Sequence, residues 1–418
     1  MRLAVVGAGW AGLAAAVRAA GAGHAVTVLE AARTAGGRAR SVDQPHDGRT
    51  LALDNGQHIL IGAYADTLAL MRTVGVDPDQ ALLRLPLDLR LPDGTGLALP
   101  EAAPPWDALA GIARARGWGW RDKAALLAAT LRWQLAGFRR EPDASVAALC
   151  GGLPPRVLRE FVEPLCLSAL NTPAEAASAA VFLRVLRDAL LGGRGGSNLL
   201  IPRRPLGALF PEPAMAWLQA HGQAVHLGRR VERLQARGAG WAVDGEPFDR
   251  VLLACPSWEA ARLVRGAGGI GADWLARAEA LRFEPITTVY AASATRLPRP
   301  MTALRGSPEA PAQFVFDRRH LGADGLLAFV ASVSRGTRGQ IEEQVLRQGR
   351  AQLGLADLRP VATIVEKRAT FACTPGLRRP GLRIAPGLMA CGEYVDGPYP
   401  GTLEGAVRSA LAAAALLS

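Results

Sequence analysis

Gly7, Gly9 and Gly12 stand in the spacing Gly-x-Gly-x-x-Gly, directly after the apolar run Leu3 to Val6. Glu30 follows 18 residues beyond Gly12, at the end of a second apolar run, Ala25 to Leu29. These residue types at these distances bind a dinucleotide. Gly7 permits a tight turn and Gly9 lets the backbone approach a pyrophosphate. Gly12 lets a helix pack close to the strand, with its positive end towards the phosphates. Trp10 and Ala11 lie within this turn and Ala31 follows the acid, so all three count as contact candidates. A carboxylate at Glu30 accepts hydrogen bonds from a ribose diol. A glycine turn that merely packs helix on sheet leaves Glu30 unexplained.

The elements that position these residues read as strand, Gly-rich turn, Ala-rich helix ending near Gly21, then strand and acid. Residues 65–190 read mostly helical. A loop at Pro202 to Gly207 precedes a helix to Ala220, and strands follow at Val225 to Leu227, Val231 to Leu234 and Trp241 to Val243. Val251 to Ala254 is a buried strand stopped by Cys255-Pro256, residues 265–375 mix both element types, and Leu388 to Ala390 is a late strand. A helix over Leu403 to Leu417 ends the chain. The implied class is α/β, a Rossmann-type nucleotide domain built from the discontinuous segments 1–75, 195–262 and 376–418. An α+β substrate-binding domain, partly helical, takes 76–194 and 263–375.

Six residues after Glu30 come Gly36, Gly37 and Arg38. Two glycines let backbone lie against a flat ring or a phosphate, and Arg38 can neutralise a pyrophosphate bidentately. A nicotinamide dehydrogenase has no evident need of that extension. With it, the sequence resembles the FAD-dependent amine oxidase and phytoene desaturase superfamily. The resemblance implies FAD as cofactor, with Val231 towards the adenine and Cys255 ending the next strand of the nucleotide lobe. It implies Gly56 and Gln57 as backbone neighbours of the flavin and the pair Gly392-Glu393 on the ribityl chain. It also implies a helix begun by Thr402, Leu403, Glu404 and Ala406 whose N-terminus points at the flavin pyrimidine edge. That end suits the negative charge of reduced flavin.

Two segments carry a narrower resemblance. Asp54 to Leu60 (DNGQHIL) and Pro164 to Pro173 (PLCLSALNTP), with the ending Gly397 to Ser409 (GPYPGTLEGAVRS), look like the hydroxysqualene dehydroxylases of hopanoid biosynthesis. The implied reaction reduces hydroxysqualene to squalene with loss of water. It needs a hydride, which reduced FAD supplies, and a proton for the departing oxygen. The proton-donor candidates are Asp54, His58, Glu393, Tyr394, Asp396 and Tyr399, and spacing does not choose among them. Asp54 can equally hold a loop, and a tyrosine near a flavin can equally be a wall. Alternatives are a carotenoid-type desaturase, an amine oxidase, or a protein that only carries isoprenoid lipid.

Bulk composition narrows the partners. The net charge is +11, yet only Lys123 and Lys367 among the 48 basic residues are lysines, and no run of like charge marks a nucleic-acid site. Excess arginine favours an anionic membrane surface instead. Five cysteines without metal-type spacing fit a reducing cytoplasm and no metal centre. His24, His46, His221 and His320 stand outside any motif, and the glycines near Arg2 argue for folded protein over a leader. No stretch is long and apolar enough to span a bilayer. Trp106, Trp118, Trp120 and Trp133, interleaved with arginines, suit either an interfacial helix or a core helix. The expected setting is thus cytoplasmic, peripheral on the inner face of the cell membrane, with a hydrophobic isoprenoid substrate and neighbouring squalene-pathway enzymes.

Overall fold

Leu3 to Val6 lack polar–apolar alternation, the pattern of a strand covered on both faces. In the computed structural model, which describes residues 1–46, 48–140 and 143–417, Arg2–Val6 is central in a six-stranded sheet. Ala25–Glu30 and Arg250–Leu253 flank it in parallel, so that Val5 pairs with both Val28 and Leu252. Ala224–Leu227 extends one side. Leu388–Ala390 and then antiparallel Arg383–Ala385 extend the other. The two ends of the chain and its middle therefore meet in one sheet, the mixed α/β architecture expected.

Alternate side chains of these strands feed different cores. Leu3, Val5 and Leu252 pack beneath the helix Trp10–Gly21. Its alanines, among them Ala14 and Ala15, let the C-terminal helix Leu403–Ala415 approach through Ala410 and Ala413. Ala4, Val6 and Leu253 face the opposite layer. There Trp241 and Phe248 of the antiparallel ribbon Leu234–Arg237, Gly240–Val243 and Glu246–Phe248 cover the sheet, with helix Ser257–Gly266 beside them.

A second, five-stranded antiparallel sheet is ordered Met301–Ala303, Phe314–Asp317, Leu326–Ser332, Phe283–Ala292, Arg359–Phe371. Val289, Val315 and Phe329 point to the helix Arg338–Leu353, while Ile286, Phe314, Phe316 and Val330 turn the other way, towards a cavity. Several helices wall the far side of that cavity, including Glu163–Leu170 and Ala179–Leu191. Among the described residues no helix is long and apolar enough to cross a membrane.

Two local expectations need correction. Val231 to Arg233 is not a strand. The Asp244 carboxylate accepts the amides of Glu232 and Arg233, which removes them from any ladder, and the strand starts at Leu234. The helical reading of 65–190 also fails between Leu82 and Pro105. Leu82–Leu85 is a strand, and prolines 86, 92, 100, 104 and 105 bar a helix through the following extended chain.

Candidate active site

One cavity of about 650 Å³ runs from the ends of the central parallel strands to the inner face of the antiparallel sheet. Its first half is made of backbone. Gly7 turns at φ +113, and a Cβ there would lie 2.8 Å from the Ala254 carbonyl oxygen. A Cβ on Gly12 would lie 1.9 Å from the oxygen of Gly7, so Gly12 seats the helix and does not itself line the cavity. Gly9 is different. The nearest atom to its missing Cβ is Gly37 Cα at 3.9 Å, and the space a methyl would take belongs to the cavity. Trp10 and Ala11 also line this end. The Trp10 indole donates to the Ala39 carbonyl at 3.0 Å, tying the helix to the Gly36-Gly37 turn.

Glu30 and Ala31 stand opposite. The Glu30 carboxylate accepts the amides of Ala8 and Ala32, each at 2.7 Å, and two accepted bonds leave lone pairs on both oxygens. Arg38 and Glu393, read separately in the sequence, are joined at 2.6 Å. Burial alone would lower the Arg38 guanidinium, but Glu393 more than offsets this and holds it above its ordinary value. Arg38 also donates to the Ala369 carbonyl at 2.8 Å, so its direction is set and spare N–H groups remain. Val231 and Cys255 line the same end, where burial pushes the Cys255 thiol up to about 12. The carbonyl of Val231 accepts Arg262 at 2.8 Å. Arg262 and Trp258 line this end too, and nothing in their spacing announced it.

Gly392 lines the floor at φ +154, with the Tyr394 ring so close that a Cβ would meet it at 2.7 Å. The Tyr394 hydroxyl is buried without a hydrogen-bond partner, and burial raises this phenol well above its ordinary value. The helix Leu403–Ala415 begins at the cavity, with Thr402, Leu403 and Ala406 in its wall. Thr402 caps it by accepting the Gly405 amide at 3.0 Å. Glu404 lies elsewhere: fully buried, it accepts from Thr67 and the Asp66 amide and pairs with Arg408 at 2.8 Å, locking two helices together.

Side chains build the second half. Leu87, Leu89, Leu165, Val181, Val185 and Phe316 make it apolar. Polar side chains between the halves come in two sets: Tyr64, Asp188 and Tyr399 next to Thr402, and Gln57 and His58 with Gly56, after the strand Arg49–Asp54. His58 Nδ1 lies 2.8 Å from the Gly56 carbonyl, which can only accept, so Nδ1 carries the proton. Burial lowers the His58 value, leaving a neutral ring with a free lone pair on Nε2. Tyr399 adopts φ +60, a costly conformation for a residue with a side chain. Its ring stands edge-on to Tyr64 at 6.1 Å and under the Arg408 guanidinium at 4.5 Å. Burial, and then the adjacent Asp188 carboxylate, push the Tyr399 phenol up to about 12.

Asp54 does not join this group. Its carboxylate accepts both terminal nitrogens of Arg318 at 3.1 Å and the Leu206 amide at 2.8 Å, away from the cavity. Arg318 in turn donates to Gln57 Oε1 at 2.8 Å and fixes that amide at the cavity wall. Asp396 is exposed beside Arg379. Tyr64 and Asp188 escaped the sequence reading. Asp188 looks like an ordinary helix ion-pair partner of Arg184, but tyrosine rarity was a usable signal: three of the four tyrosines line the cavity.

Residues 10–418 match the family described as flavin containing amine oxidoreductase. The chain belongs to that family. Its fold agrees with a putative protoporphyrinogen oxidase from an Exiguobacterium species at a TM-score of 0.68 and 18% identity, covering 100% of this chain and 98% of that one. A hydroxysqualene dehydroxylase of Rhodopseudomonas palustris is 30% identical over 99% of this chain and 97% of its own length. Another, from Zymomonas mobilis, is 26% identical over 99% and 98%. This family member is an FAD-dependent oxidoreductase. The open space at Gly9, the unpartnered Tyr394 hydroxyl and the helix end at Thr402 fit a phosphorylated, hydrogen-bonding cofactor of that kind.

Proposed function

We propose that the protein converts hydroxysqualene to squalene: the allylic C–OH bond breaks, a C–H bond forms, and the hydroxyl leaves as water. The observation that carries this reading is the largely apolar second half of the cavity, walled by Leu87, Leu89, Leu165, Val181, Val185 and Phe316, with Tyr399 and Asp188 among the polar groups that line it. A hydrocarbon chain with a single hydroxyl fits that division. Bound, reduced FAD supplies the hydride. Gly7, Gly9, Glu30, Gly37 and Arg38 would hold its nucleotide portion, Gly392 and Glu393 its central chain, and the Thr402 helix end its ring.

The chain's own groups take the other half of the reaction. Tyr399, held protonated by burial and by its hydrogen bond to Asp188, would turn its O–H from that carboxylate to the substrate hydroxyl and give the leaving oxygen its proton. His58 Nε2 is an acceptor and orients the same hydroxyl. The apolar walls exclude bulk water from the carbon that must receive hydride. In the same reading, segments 1–75, 195–262 and 376–418 form the FAD domain, and the protein lies on the inner face of the cell membrane, where such a substrate dissolves.

Anaerobic reduction of the bound flavin followed by hydroxysqualene tests the reaction. Squalene should appear one for one with the return of the oxidised flavin spectrum. Flavin that stays reduced with hydroxysqualene, in a protein that oxidises a carotene precursor or an amine, would replace this reading with a desaturase or an amine oxidase.

A further inference from the structure

We infer that the helices Trp106–Arg114 and Trp120–Leu135 form a docking face for an anionic lipid bilayer, through which the substrate of the proposed reaction enters. The inference rests on that reading for the identity of the cargo only. Along Trp120–Leu135 the buried residues Leu126, Ala129 and Trp133 take one side. The opposite side exposes Trp120, Ala124, Ala128, Leu131 and Leu135, steps of four, four, three and four, which is one continuous helical stripe. Trp120 and Leu135 are 75% and 79% exposed, and Trp106 on the neighbouring helix is 67% exposed. Five of the eight large apolar side chains exposed among the described residues belong to these two helices. A water-facing helix has no reason to collect them.

The occupant follows from charge. Residues 106–140 carry seven cations and only two acids, Asp107 and Asp122. Both acids are occupied within the fold, Asp107 on the Ala108 amide and Asp122 on the Gly119 amide. None of the seven cations forms an ion pair among the described residues; Arg121 lies over the Trp120 ring instead. Two copies meeting by this face would oppose like charges, whereas an anionic headgroup layer complements it and aromatic rings settle at its boundary. The face is also joined to the cavity. Trp118 donates to Glu160 at 2.8 Å, and that turn runs directly into Glu163–Leu170, whose Leu165 and Ala169 are cavity wall.

Flotation of the FAD-loaded protein with vesicles tests the face. Wild type should float with phosphatidylglycerol-containing vesicles and far less with pure phosphatidylcholine. The triple variant Trp120→Glu, Leu131→Glu, Leu135→Glu should lose about tenfold or more of that binding, with its flavin spectrum and melting temperature unchanged. The same variant should turn over hydroxysqualene presented in detergent micelles at the wild-type rate, which separates loss of docking from failure of the reaction itself. Equal flotation of variant and wild type, or none by wild type, overturns the inference. So does light scattering that shows a wild-type dimer abolished in the variant, since the face would then belong to a second copy.

Discussion

The two halves of the cavity are built from different material. The cofactor half is mostly main chain, in short local motifs: Gly7 to Gly12, Gly36 to Arg38, and Gly392 with its strand. The substrate half is side chains from helices and strands far apart in sequence, such as Leu87, Val185 and Phe316. Backbone that must approach a ligand needs glycine at fixed positions, so chemistry leaves a mark in a short stretch of sequence. A wall of leucine and valine needs only volume and polarity, which many sequences satisfy.

Asp54 and Arg318 join the halves, and breaking that joint has the largest expected effect. Asp54 ends the strand Arg49–Asp54, just before the cavity residues Gly56 and Gln57. Arg318 follows a strand of the antiparallel sheet, and Tyr290 of the same sheet donates to the Asp54 carbonyl at 2.8 Å. Both ion-pair partners are essentially inaccessible to solvent. Asp54→Ala leaves Arg318 charged and buried without its partner, which should destabilise the fold by about 3–5 kcal/mol. Chemical denaturation measures this. Were Asp54 the proton donor instead, folded and flavin-loaded Asp54→Asn would still bind substrate but would no longer reoxidise its flavin with it.

Two glycines of one motif sharpen the distinction between fold and ligand. Gly12→Ala places a methyl against the Gly7 carbonyl oxygen inside a packed turn and should cost about 3 kcal/mol, the upper part of the overpacking range. Gly9→Ala places its methyl in open cavity, so the melting temperature of the flavin-free protein should stay at the wild-type value while FAD affinity falls. Thermal melts with and without added FAD separate the two. Equal destabilisation of both apoproteins would show that Gly9, like Gly12, serves the fold.

In the substrate half, Tyr399→Phe removes one hydroxyl from the polar junction. Reoxidation by hydroxysqualene should slow about 10²-fold, the low end for losing a general acid, with FAD retention unchanged. Tyr394→Phe should do the reverse, weakening FAD retention and leaving the rate nearly intact, because its unpartnered hydroxyl sits in the cofactor half. Single-turnover rates and flavin content, measured on both variants, decide. Interchanged results would exchange the roles of the two tyrosines.

Legibility divides along the same line. Gly9, Glu30, Arg38 and Thr402 were readable because each meets a demand that few residue types satisfy, and all four line the cavity. Asp54 and Glu404 carried the right chemistry at suggestive positions but are consumed by Arg318, Thr67 and Arg408, partners that only the fold brings near. Asp188 reads as a helix-surface acid and stands at the junction instead. Sequence spacing shows which groups a segment offers; it does not show which of them the fold has already spent on itself.

His58 gives the smallest effect and the cleanest sign. Burial holds its folded-state value below the ordinary one, so the ring is neutral in the fold while the unfolded chain binds a proton at about pH 6.5. From about pH 6.5 down towards the folded-state value, the unfolded state therefore holds more protons, and stability falls as pH falls. The contribution is fully present above that window. His58→Gln should flatten this part of the stability curve, read as denaturation midpoints above and below about pH 6.5. The reoxidation rate of wild type should show no loss as pH rises through the same window, because a ring that is already neutral has no proton to surrender. A rate that falls with rising pH there, and does not in His58→Gln, would make His58 the donor and reduce Tyr399 to a wall.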